Sequence, residues 1–493
     1  MLRPEPVAQP ESMALAEAAT RAPVRASGSL ALSIGAGFLV QILSQATTLL
    51  TRIVLARIIL PTEWGVFGEA VVIVLIVDTL RELNLTQWAT SGGTTRHWRD
   101  LPGALVATTA LLLVLLAAAL PLLARLSPQL PLTTGVLAIT LIPRAWTLGA
   151  EAELNSRQRL FRLVGPQAAG ALGFVLSAII ISAHFKTAWS LSVAAVIQVS
   201  IYAVLLLWSS RREVFLRPRL ESAWRSLVSA RDFVWLALAG VLMSQVDGLM
   251  VGSVAGATAA GFYIMASWLA SRLPFFVETP LLRVMLPVFA AHRDDRVELG
   301  YLFKRTAMAI NYLEATWCFL LIFNAGFVVL ELFGHRWGPA IPFVILTAIY
   351  PLLSPLGTVG WEVLRMTGHT RLVLWNLVAS SIAFVIVGVG LGVRIGVVGV
   401  VIGFYVATLI NSLVIFVLPR QIGWQPVRQV LGEVALLYLG CALPLLVIGV
   451  LPLPEIVRFG IDIVVLAAIV LFGMRPLLPF IRNALARRGK PTT

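Results

Sequence analysis

Residues 65–70 read Gly65-Val-Phe67-Gly-Glu-Ala70, and residues 261–266 read Gly261-Phe-Tyr263-Ile-Met-Ala266. The two share a Gly-x-aromatic-x-x-Ala pattern at an offset of 196 residues, and each opens a long apolar run directly behind a short turn. At the same offset Glu82 falls on Glu278. Farther along, Leu148-Gly149 matches Leu356-Gly357 at an offset of 208, and Glu153 and Arg162 match Glu362 and Arg371 at 209. Changes in loop length account for a drift of this size. The constant order of the matches divides the chain into two similar halves.

Both halves consist of membrane spans. Of 493 residues, 58% are hydrophobic and 13% charged, with a mean hydropathy of +0.89; a soluble domain carries about 25% charge. These values exclude an ordinary soluble enzyme, a secreted disulfide scaffold and a disordered chain. A transmembrane β-barrel is excluded because it shows alternating segments of about ten residues. A spanning helix needs about 20 apolar residues, so the composition supplies about fourteen. The runs fall at 29–51, 64–83, 101–124, 132–152, 163–183, 188–208, 231–255, 258–281, 306–330, 340–362, 371–392, 396–418, 431–451 and 456–480. The expected fold is an all-α polytopic membrane protein.

The net charge of +14 sits between the spans and points to membrane topology rather than to nucleic acid. With the N terminus placed in the cytoplasm, the cytoplasmic segments hold 29 Lys and Arg and the opposite side 7, while Arg144 and Arg272 lie inside spans. Such a bias is the positive-inside signal. It puts both termini in the cytoplasm and requires an even number of spans. Six spans then separate repeat partners, so the copies share an orientation: two six-helix lobes about a pseudo-two-fold axis along the membrane normal. The expected organisation is a tail at 1–28, an N-terminal lobe at 29–210, a linker at 211–230, a C-terminal lobe at 231–420, and two extra helices with a basic tail at 421–493. No loop is long enough for a soluble domain, and no phosphate-binding loop is present. Asp294-Asp295 reads as a solvated charged turn, and Cys318 and Cys441 as inert packing residues.

Several stretches resemble the polysaccharide-transporter (Wzx-type) branch of the multidrug/oligosaccharidyl-lipid/polysaccharide flippase superfamily. They are Leu55-Ala-Arg57-Ile-Ile-Leu-Pro61-Thr-Glu-Trp-Gly65-Val-Phe67, Asp247-Gly-Leu-Met-Val-Gly252 with Gly261-Phe-Tyr263, Leu286-Pro287-Val-Phe289-Ala290 and Leu332-Phe-Gly334-His-Arg-Trp337. They cover about residues 30 to 420. The resemblance implies two lobes around a central cavity in the bacterial inner membrane. It also implies translocation of an undecaprenyl-pyrophosphate-linked oligosaccharide for exopolysaccharide, capsule or O-antigen synthesis, with membrane lipids around the chain and a polymerase and glycosyltransferases as partners. A cation-coupled multidrug exporter, a lipid II flippase, a membrane polymerase or ligase and a non-transporting scaffold remain as alternatives. No enzymatic activity, metal or cofactor is expected; a proton or sodium gradient is the candidate driving force.

A flippase passes a charged headgroup while the lipid tail stays in the bilayer, so its cavity needs cations for pyrophosphate and hydrogen-bonding groups for sugars. The planar fork of Arg suits pyrophosphate. Gln41, Gln45, Thr48 and Arg52 follow spacings of 4, 3 and 4 and share one helical face, either as a cavity wall or as interhelical hydrogen bonds ending in a snorkelling Arg. Arg144, with Glu151 seven residues on, and Arg272, beside Pro274, are the further cationic candidates. Arg57 is expected to snorkel or to close the turn before the second span. Asp247, Glu278 and Glu314 are the candidates for ion coupling. Asp78 is expected to pair locally with Arg81. The ridges Gly248, Gly252, Gly256 and Gly399, Gly403 are expected to pack helices closely.

Overall fold

A computed structural model of the chain describes residues 47–82, 96–156, 161–210 and 246–475. Gln41, Gln45, the linker and both tails lie outside the described residues. Among the described residues the chain is helical throughout, as hydrocarbon demands: with no water to satisfy backbone groups, each segment must satisfy its own. The first lobe comprises α1 (47–58), α2 (Pro61–Glu82), α3 (Arg96–Leu123), α4 (Leu130–Ala138), α5 (Leu141–Ser156), α6 (Phe161–Phe185) and α7 (Ala188–Ser210). The second comprises α8 (Val246–Ala255), α9 (Ala257–Ala291), α10 (Arg296–Phe333), α11 (Ile341–Ile349), α12 (Gly357–Met366), α13 (Thr370–Ile395) and α14 (Val397–Asn411). Two short turns, α15 (Val414–Val417) and α16 (Pro419–Ile422), lead to the appended pair α17 (Trp424–Val450) and α18 (Glu455–Met474).

Each expected span overlaps one of these helices, and nine helical stretches among the described residues are long and apolar enough to cross a membrane. Four differ from expectation: the span at 132–152 is divided into α4 and α5 by a turn at 139–140, and that at 396–418 breaks at a turn at 412–413 between α14 and α15. The first helix runs through Arg52 and Arg57 to residue 58, so both arginines are helical. The expected span at 340–362 is broken: α11 gives way to a 3-10 turn at Tyr350–Leu353 before α12 begins, because Pro351 and Pro355 cannot continue the backbone ladder.

The repeat is visible as contact. Helices α2 and α9 meet at their N-terminal ends, where Thr62 Oγ1 lies 2.7 Å from Thr258 Oγ1 across the offset of 196 residues. A Cβ on Gly65 would overlap the Ala257 carbonyl, and a Cβ on Gly261 would overlap the Pro61 carbonyl. Residue 257 is residue 61 moved by the same offset, so the two contacts are one contact seen twice, the signature of a two-fold axis. The hairpins α6–α7 and α13–α14 occupy equivalent places and pack tightly. Their turns carry Lys186 at φ 53° and Gly396 at φ 67°. The Gly399 and Gly403 ridge of α14 rests on the backbone of α13 at Leu391 and Gly388. In the other ridge, Gly248 faces Ile264, Gly252 faces Glu69, and Gly256, at φ +84°, ends α8. Both appended helices pack on α10.

Substituting Ala for Gly65 or Gly261 sets a methyl group against backbone that cannot yield. Overpacking of this kind costs about 1–3 kcal/mol, so the thermal midpoint of the purified protein should fall by several degrees. Gly326→Ala, which meets open space, should leave the midpoint unchanged.

Candidate functional site

A cavity of about 190 Å³ lies on the junction of the lobes, between α1, α2, α8 and α9. Arg52 enters it from the first lobe and Asp247 from the second. The repeat offset carries residue 52 onto 248, so these opposite charges stand one residue out of register in related helices. The Arg52 guanidinium carbon sits 4.4 Å from the ring centre of Trp268 and 5.6 Å from that of Trp64, within cation–π range. The Asp247 carboxylate accepts a 2.9 Å hydrogen bond from the hydroxyl of buried Tyr263. Ser267 and Ser271 add hydroxyls to the lining. Thr48 lies one turn before Arg52 on the described part of α1. The result is a small chamber with one guanidinium, one carboxyl group and aromatic walls.

The other cationic candidates lie elsewhere. Arg144 pairs with Asp78 of α2, and Asp78 also takes Arg81 at 2.5 Å. The local Asp78–Arg81 pair expected from spacing is present, and Arg144 joins it to give a cluster of two cations on one anion. Glu151, seven residues on along the same helix, accepts a 2.7 Å hydrogen bond from Tyr202 of α7. Arg81 is buried, whereas the Arg144 side chain is 48% exposed, so Arg144 can still meet a ligand. Arg272 belongs to α9; its side chain lies outside the described residues.

The carboxylates Asp247, Glu278 and Glu314 all fall in the second lobe, and Tyr350, in the break between α11 and α12, is within electrostatic reach of all three. Among the described residues no cluster of three or more His, Cys, Asp or Glu side chains is arranged to hold a metal ion.

At the end where α2 and α9 meet, Arg57 neither snorkels nor closes its own turn. It crosses to the second lobe and donates to the carbonyls of Glu331 (2.6 Å) and Leu332 (3.3 Å) at the C terminus of α10. A helix C terminus offers unsatisfied carbonyls and partial negative charge, which a guanidinium complements. Trp337 returns the contact, its indole donating to the Ala56 carbonyl at 2.8 Å, and Trp64, Phe262 and Phe333 pack around its ring. These contacts close that end of the lobe junction. Spacing pointed to neither Glu69, which is buried against Gly252 of α8, nor Tyr263 and Trp268, whose aromatic character alone does not distinguish cavity from core.

The sequence matches the family model described as polysaccharide biosynthesis protein over residues 54–342. The lipopolysaccharide biosynthesis protein WzxC of Escherichia coli (strain K12) is 25% identical over 396 residues, 76% of this chain and 78% of that protein. The amylovoran biosynthesis protein AmsL of Erwinia amylovora is 29% identical over 147 residues, 29% of this chain and 38% of that one. In fold the chain is similar to the lipid II flippase MurJ in its inward closed conformation, with a TM-score of 0.68 at 11% identity over 89% of this chain and 99% of that one. It is also similar to an inward-facing multidrug resistance MATE family transporter of the MOP superfamily, with a TM-score of 0.60 at 12% identity over 81% and 98%.

Replacing Arg57 by Gln removes the charge from the carbonyls it caps. Hydrogen bonds to charged groups contribute about 1.5–3 kcal/mol, and the thermal midpoint of the purified protein should drop accordingly. Arg57→Lys should recover only part of the loss, because a point charge cannot serve both carbonyls as a fork does.

Proposed function

Because this chain belongs to the polysaccharide biosynthesis protein family, we propose that it is a flippase for undecaprenyl-pyrophosphate-linked oligosaccharide units, moving them from the cytoplasmic to the periplasmic leaflet of the bacterial inner membrane. The units feed a periplasmic polymer such as exopolysaccharide, capsule or O-antigen; glycosyltransferases supply them and a polymerase consumes them. The single observation that carries this reading is the family match, which runs through α2, α8 and α9 of the junction chamber. The chamber fits the task chemically. A guanidinium beside two indoles meets phosphate oxygens, hydroxyl and carboxylate groups meet sugars, and the aromatic faces stack on sugar rings.

The chamber is too small for the whole headgroup. Pockets for drug-sized ligands run about 300–1,000 Å³, against about 190 Å³ here. Transport therefore requires the lobes to part around the axis. The positive-inside count places both termini in the cytoplasm and the α2–α9 contact at the periplasmic end. In that orientation Arg57, Trp337 and the Thr62–Thr258 pair seal the exit, and the headgroup enters from the cytoplasm. Arg144, with Arg272 on the facing lobe, supplies charge for the pyrophosphate on its way to Arg52. The carboxylates Asp247, Glu278 and Glu314 take up the coupling proton or sodium ion, whose return drives the lobes back. The chain itself makes and breaks no covalent bond.

In a strain whose polymer depends on this protein, the double substitution Arg144→Ala, Arg272→Ala should lower polymer output by at least tenfold at unchanged protein level, with lipid-linked units accumulating in the cytoplasmic leaflet. Ordinary output from the double variant would contradict the pyrophosphate role.

A further inference from the structure

Helix α18 lies outside the repeat and buries only two residues, Asp462 and Leu466. A carboxylate is an improbable choice for one of two buried positions in a lipid-facing helix. Asp462 is 1% exposed and meets Asn324 of α10, itself 2% exposed. Asn324 sits at the bend of α10, with φ −121° and ψ 20° inside an otherwise helical run. The bend has an identifiable cause: the Asn324 side-chain amide reaches back to the Leu320 carbonyl at 3.2 Å, the acceptor its own backbone would use in a straight helix. The same amide nitrogen donates to Asp462 Oδ2 at 2.8 Å. Both N–H groups of the amide are then used, and its orientation is fixed.

Two acceptors remain. Asn324 Oδ1 and Asp462 Oδ1 are buried and meet no donor among the described residues. Buried polar groups without partners are rare and call for an explanation. The described residues around them supply none. On α18 itself, Arg458, one turn earlier, acts on Asp462 only through space. From α17 the titratable neighbours are Cys441 and Tyr438, which pack with Leu466, and Tyr438 spends its hydroxyl on the Leu352 carbonyl. From α10, Tyr312 joins that same apolar cluster. A hard cation would need about six oxygen ligands or more, whereas two orphaned oxygens need one hydrogen.

We propose that Asp462 and Asn324 form a proton-binding site that pins the appended helix to the bend of α10. A proton taken from solvent forms an O–H bond at Asp462 Oδ1 and makes that oxygen the donor that Asn324 Oδ1 lacks; it leaves by the same route. Bound, it closes a second hydrogen bond between acid and amide and holds the bend. Released, it leaves a buried charge with Asp462 Oδ1 still lacking a donor and no hydrogen to share with Asn324 Oδ1, which weakens the joint and lets α10 straighten. The consequence reaches the lobe junction, because the segment beyond the bend ends at Glu331 and Leu332, the carbonyls that Arg57 grips. The site thus sits on a hinge whose far end is latched to the other lobe. The inference stands on this geometry and holds whatever cargo the protein carries.

The test uses the full chain in lipid nanodiscs. Infrared spectra of the native protein minus those of Asp462→Asn should show one protonated-carboxyl band at neutral pH, and replacing choline by sodium should leave it in place. A difference spectrum without that band means Asp462 is ionised and overturns the proposal; loss of the band in sodium assigns the site to a cation and overturns it equally. The hinge is read with spin labels on Val297→Cys and Glu331→Cys, exposed positions on either side of the bend, about 51 Å apart in a straight helix at ~1.5 Å per residue. Asp462→Asn, which keeps a neutral hydrogen-bonding group, should retain the native distance, and Asp462→Leu should lengthen it. Should Asp462→Leu not fold, Asn324→Leu tests the same joint from α10. An unchanged distance in the Leu variant overturns the hinge.

Discussion

The approach of α2 to α9 at Gly65 and Gly261 is the constraint on which the rest of the molecule depends. Lipid provides no hydrophobic force between helices, so close packing of small residues and hydrogen bonds must hold them. Here both operate at one point: neither glycine leaves room for a side chain, and Thr62 and Thr258 bond across the axis. That point fixes the axis, and the axis fixes which residues face each other. It puts Arg52 and Asp247 into one chamber and sets Arg57 and Trp337 where they can reach the opposite lobe. The symmetry is of backbone rather than of charge. The first lobe presents Arg144 and Arg81 on a single aspartate, and the second carries Asp247, Glu278 and Glu314, all within electrostatic reach of Tyr350. The frame is symmetric while the charge it carries is not.

Much of the frame was legible in the sequence because it rests on local rules. Spans follow from apolar runs. The repeat follows from glycines that cannot be replaced where backbones touch, which is why Gly65 and Gly261 stand out while the side chains between them have drifted. Asp247 was recognisable because a charge inside an apolar helix needs a reason, and Arg52 because it continues the polar face of Gln41, Gln45 and Thr48. What was not legible depends on partners remote in sequence. Helical spacing points from Arg144 to Glu151 on the same face, but the partner is Asp78, 66 residues away. Nothing in the neighbourhood of Arg57 names a carbonyl 274 residues distant. The break at Tyr350–Leu353 had a signal in Pro351 and Pro355, outweighed by the apolar run around it. Asn324 and Asp462 each look like a lone polar residue in a span, and only their meeting gives them meaning.

The central claim is that the lobes move apart at the α2–α9 contact to release cargo. Cysteines at Thr62 and Thr258 test it most directly, since the native thiols Cys318 and Cys441 are buried and leave the background quiet. The measurement is polymer export by cells carrying the double-cysteine protein, under oxidising conditions and after reduction. The account predicts that export stops when the pair is joined and returns when it is reduced, with either single cysteine unaffected. Export that continues with the two helices covalently joined would show that this end never opens, and would contradict the account.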